Sequence, residues 1–69
     1  MPAVRYRLVI EGQLGPLYTS AFEELELEAT GATTALVGPV EDQAQLLGLV
    51  ERVASLGLKL VSLAPTEPS

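Results

Sequence analysis

Residues 41–58 read EDQAQLLGLVERVASLGL, and the choice between an all-β chain and an α+β chain turns on them. Leu46, Leu49, Val50, Val53 and Leu56 recur at the i, i+3, i+4, i+7 spacing that lines one face of a helix. Glu41, Gln45, Arg52 and Ser55 fall largely away from that stripe. Asp42 suits the N-cap, Gln45 three residues on completes a capping-box pattern, and Glu41 and Asp42 place negative charge at the positive end of the helix dipole. At the other end Gly57 fits the left-handed C′ position, with Leu58 after it to contact Val53. The spacing predicts a helix over 42–56. Leu47 widens the apolar stripe, and Gly48 beside it costs roughly 1 kcal/mol relative to Ala inside a helix. Gly48 reads either as neutral on an exposed face or as a point of close approach, and its position next to Leu47 favours contact.

Upstream of that helix the chain reads as strands and turns. Val4 to Glu11 alternates, with Val4, Tyr6, Leu8 and Ile10 expected toward the core and Arg5, Arg7, Val9 and Glu11 away from it. GQLGP, residues 12–16, breaks the strand. Pro16 suits the first position of a helix, so Leu17 to Phe22 is expected as a short helix burying Leu17, Ala21 and Phe22. Leu25 to Ala29 alternates again, Thr30-Gly31-Ala32 is a turn, and Thr33 to Val37 is a strand ended by Gly38-Pro39. Downstream, Lys59 to Leu63 is the last strand, with Leu60 on one side and Val61 and Leu63 on the other. APTEPS, residues 64–69, has two prolines and little to bury, and reads as a flexible polar tail. The expected organisation is one α+β domain over 1–63 with the tail behind it.

The order strand, short helix, strand, strand, long helix, strand is the ferredoxin-like βαββαβ arrangement. It predicts a four-stranded antiparallel sheet, first and third strands central, with a short first helix and a long second helix on one face. The other face then carries Arg5, Arg7, Val9, Glu26 and Glu28 among aliphatic residues. A face with apolar patches and both charge signs can match its own copy across a two-fold axis, whereas scattered apolar residues on a solvated face are also normal. A chain of 69 residues without cysteine is marginal as an isolated domain, which favours self-association. Arg5, Arg7, Val9, Leu47, Gly48, Val61 and Leu63 are the expected interface, in a homo-oligomer or against a protein partner.

Composition narrows the chemistry. Neither Cys nor His occurs, so Ser-His and Cys-His catalysis and the usual zinc and iron ligand sets are not available from this chain. Glu23, Glu24, Glu26 and Glu28 form an acidic run, but strand alternation divides it between two faces and no calcium-loop spacing appears. No metal, cofactor or catalytic residue is expected, and the chain reads as non-catalytic. Nine acids against four bases give a net charge of −5, opposite to the basic footprint of a nucleic-acid binder. No apolar run reaches the length of a membrane span and the N-terminus does not read as a signal peptide, so a cytoplasmic location is expected. GQLGP is neither a P-loop nor a dinucleotide fingerprint. A small ligand, if the chain takes one, is expected at Gly12, Gly15 and Tyr18.

Thr33 to Leu63 resembles a group of short bacterial proteins of unassigned function through a Leu-x-Gly-x-Val-x-Asp-Gln-Ala-x-Leu-x-Gly-Leu core. Here the core is Leu36, Gly38, Val40, Asp42, Gln43, Ala44, Leu46, Gly48 and Leu49. More loosely, the whole chain looks like a compact relative of ACT-type regulatory domains. That resemblance implies a ferredoxin-like fold, pairing between copies, and amino-acid binding near the loop after the first strand, here Gly12 to Gly15. The leading expectation is a self-associating structural or interaction module. The alternative is an ACT-like module that binds a small molecule and regulates.

Overall fold

The computed structural model describes residues 3–12 and 14–66. Strands β1 (Val4–Glu11), β2 (Glu26–Thr30), β3 (Thr33–Val40) and β4 (Leu60–Pro65) form one antiparallel sheet in the order β2-β3-β1-β4. Between β1 and β2 lies a single α-helical turn, α1 (Pro16–Thr19), followed by a 3₁₀ turn over Ser20–Phe22. Between β3 and β4 lies α2 (Gln43–Ser55), 13 residues long.

The ferredoxin-like βαββαβ arrangement is therefore not what the chain forms. Among the described residues α2 is the one helix longer than a turn, so the sheet carries a single helix rather than a short one and a long one. The segment expected as a helix over Leu17–Phe22 fails for local reasons. Gly15 precedes it without a side-chain oxygen to cap it, and Thr19 and Ser20 follow at once, both poor in a helix interior. Phe22 instead drops into the core at 0 % exposure, and the chain turns toward β2.

α2 forms as its sequence dictates. The Asp42 carboxylate accepts from the Gln45 N–H at 2.8 Å, and Gln45 Oε1 accepts from the Glu41 N–H at 2.7 Å, one residue ahead of the usual capping-box donor. The far end is a Schellman motif. Gly57, at φ 76°, donates to the Ala54 carbonyl at 3.0 Å, and Leu58 donates to the Val53 carbonyl at 3.1 Å. Leu49 and Val53 are buried against Leu8, Ile10, Leu36 and Val40, with Phe22 and Leu25 closing the core.

β3 extends past its expected end. Gly38 and Pro39 lie inside the strand, opposite Tyr6 and Arg5. β2 begins opposite Val37, so beyond that point β3 has β1 as its ladder partner and Pro39 sits on a local edge, where a missing N–H is tolerated. Gly38 is favoured by packing. A Cβ there would overlap the Leu25 side chain and come within 3.4 Å of the Glu24 carbonyl. β4 likewise runs two residues into the expected tail, to Pro65, and the Thr66 N–H donates to the Arg5 carbonyl at 2.8 Å. Residues 67–69 lie outside the described residues.

Candidate functional site

The residues singled out from sequence fall in three places. Gly12 is tied to the start of β3, and Gly15 to α1; Gln13 between them lies outside the described residues. The Gly12 N–H donates to the Ala32 carbonyl at 2.6 Å, and the Gly12 carbonyl accepts from Thr34 Oγ1 at 2.9 Å. The Gly15 carbonyl accepts from the N–H groups of Tyr18 and Thr19, closing α1. Tyr18 is exposed. A cavity of about 240 Å³ opens next to this loop, lined by Leu14, Thr19, Leu27, Ala29 and Thr34. Gly12, Gly15 and Tyr18 are not among its lining residues.

The sheet face away from α2 carries Arg5, Arg7 and Val9, as alternation dictates. Arg5 Nη2 lies 3.4 Å from Glu26 Oε1, and Arg7 Nη1 lies 3.2 Å from Glu28 Oε1. Both pairs run diagonally from β1 to β2 across the intervening β3. Arg7 is level with Val37 while Glu28 is level with Ala35. Ala35 and Val37 are 1 % and 6 % exposed, although α2 packs on the other face of the sheet. The aliphatic stems and ion-paired heads cover them. Arg5 and Arg7 thus have partners within the chain, the glutamates expected on the same face.

Val61 and Leu63 do not share a face in the way expected. The β1–β4 register shifts between Val9 and Ile10, so that Ser62 opposes Val9 and Leu60 opposes Ile10, with Val61 as the extra residue of a bulge. Leu63 then opposes Leu8 on the helix side of the sheet. It remains 37 % exposed at the sheet edge, and Val61 is 55 % exposed. Leu47 on α2 is 53 % exposed, and a Cβ on Gly48 would meet nothing within 4 Å.

Two features escaped the sequence reading. Arg52, expected to lie off the buried stripe, ties α2 to the turn before β2. Its Nη1 donates to the Ala21 carbonyl at 2.8 Å and to Glu24 Oε2 at 2.9 Å, and its guanidinium sits 5.6 Å from the Phe22 ring centroid. The Glu24 carboxyl is held below its usual range by its own backbone N–H and then by Arg52, against the opposing effect of partial burial. The second is a cleft of about 350 Å³ where α2 begins, with an apolar floor of Val4, Tyr6, Val40 and Leu46 and a rim of Glu41, Asp42 and Gln43. It gathers the start of β1, the end of β3 and the helix cap, which no local pattern connects.

Among the described residues no three or more His, Cys, Asp or Glu side chains group closely enough to hold a metal ion, and no helix is long and apolar enough to cross a membrane. The family described as Domain of unknown function (DUF8691) matches residues 5–64, and the chain belongs to it. No curated protein and no solved structure matches the chain.

Proposed function

We propose that this member of the DUF8691 family is a non-catalytic α+β module of the cytoplasm that acts by associating with copies of itself. The observation that carries the reading is where apolar surface is left uncovered. Val61 and Leu63 on β4 and Leu47 on α2 are among the large exposed apolar side chains, and α2 packs against β4. The opposite sheet face is occupied by ion pairs. A chain of 69 residues buries only about 60 % of its unfolded surface, so covering such side chains adds proportionately more than it would in a larger domain. Light scattering coupled to size exclusion, over a dilution series, tests this. A mass that stays at a multiple of 7.3 kDa supports it, and a monomer at every concentration overturns it.

A second reading, a regulatory module that binds a small molecule such as an amino acid, is supported by the cavity of about 240 Å³ beside the loop after β1. Thermal-shift measurements with free amino acids test it. A ligand present at 100 times its dissociation constant stabilises by about 2.7 kcal/mol, and a flat response across the set removes this reading.

A further inference from the structure

We propose that self-association runs through β4, which pairs antiparallel with β4 of a second copy about a two-fold axis at Leu63 and joins two four-stranded sheets into one of eight. This rests on the self-association reading above and adds to it an edge, a register and an axis. The sheet has two edges, β2 and β4. β2 carries Glu26 and Glu28, and a two-fold pairing there sets like charges against each other. β4, Leu60–Pro65, has no ionisable side chain.

The backbone of β4 marks the axis. The Thr66 N–H donates to the Arg5 carbonyl, so that pair is hydrogen-bonded. Bonded and non-bonded pairs alternate along an antiparallel ladder. Ala64 opposite Arg7 is therefore bonded to β1, and Leu63 opposite Leu8 turns its N–H and C=O outward. The Leu63 side chain is also partly exposed while its neighbour Leu8 is fully buried. At this one residue the backbone groups turn to the sheet edge and part of the side chain is left uncovered beside them. An axis at Leu63 lets the two copies exchange both hydrogen bonds there, and it sets Val61 opposite the partner's Pro65.

Charge agrees with this direction. Arg5, Arg7 and Arg52 are each in an ion pair, and Lys59 is the basic residue among those described that is not. Antiparallel pairing carries Lys59 toward the partner's Pro65 end, where β4 lies beside Tyr6 and the Glu41–Asp42 cleft rim begins. The bulge at Val61 and the missing N–H of Pro65 limit the pairing to a short segment, and the acidic β2 edge closes the assembly at two copies.

The axis places residue 63 opposite itself, which gives a sharp test. Leu63→Lys and Leu63→Glu are each expected to raise the dimer dissociation constant at least about tenfold, and mixing the two variants is expected to restore a dimer. Folding of each is checked by circular dichroism. A wild-type oligomer that both variants leave intact overturns this interface and leaves self-association standing, as do two monomeric variants whose mixture stays monomeric. A monomeric wild type overturns both readings. Should the charged variants not fold, Leu63→Cys in this cysteine-free chain is expected to yield a disulfide-linked dimer on mild oxidation, with Glu28→Cys as the control. Equal cross-linking of the two, or none at Leu63→Cys, overturns the proposal.

Discussion

Arg52 reaches from the last turn of α2 to Glu24, 2.9 Å from its carboxylate, and in the same stroke caps the Ala21 carbonyl at 2.8 Å. One side chain thereby fastens the helix to the turn that takes the place of a first helix. Arg52→Ala is expected to lower unfolding free energy by about 1–2 kcal/mol, since it removes a hydrogen bond to a carbonyl, a partly exposed ion pair and a cation–π contact. Glu24→Gln is expected to cost less, about 0.5 kcal/mol, because solvent screens that pair. Urea titration of both single variants and the double variant measures the coupling.

The same pair sets a pH dependence. Folding lowers the Glu24 pKa, so its contribution is present above the unfolded carboxylate value and is lost as pH falls through the lower folded value. The difference in stability between the wild type and Glu24→Gln is expected to be constant near neutrality and to shrink below the ordinary carboxylate range. Thermal melts from neutral to strongly acidic pH read this directly.

Gly38 and Leu25 are complementary in volume. Gly38→Ala is expected to cost about 1–3 kcal/mol, as overpacking does, because the added methyl meets Leu25 and the backbone around it. In a Leu25→Ala background the same substitution is expected to cost less than about 1 kcal/mol. Equal costs in the two backgrounds, measured by chemical denaturation, would show that Leu25 is not what the methyl meets.

Cover over Val37 and Ala35 separates the stem of Arg7 from its charge. Arg7→Met keeps most of the stem and removes the ion pair, and is expected to change stability by less than about 0.5 kcal/mol. Arg7→Ser uncovers the β3 residues and is expected to cost about 1 kcal/mol. If the charge were the main contribution, the two variants would match and both effects would fade in high salt.

α2 was legible because its signals are local. Asp42, Gln45, Gly57 and the leucine spacing each act within a few residues, and each makes the contact its type suits. Strands were legible in number and β1 at both its ends, whereas the far ends of β3 and β4 were not. Gly38-Pro39 reads as a stop wherever a strand has partners on both sides, and only the short reach of β2 makes it tolerable here. The face taken by Leu63 differs from the expected one for a related reason. A single extra residue at Val61 moves Leu63 to the helix side, and a bulge depends on the partner strand, not on the local pattern. Arg52 gave no signal, because its partners lie 28 and 31 residues away.

β2 has five residues and one neighbouring strand, and the chain reaches it through single turns instead of a helix. Detaching it leaves β3, β1 and β4 still paired and α2 still seated on β3 and β4. Stability is therefore graded across this small chain: the β2 margin can unzip at modest free energy while the rest stays native. Amide protons there should exchange ahead of those in β1, and the chain carries its own low-energy partially open state on the side away from β4.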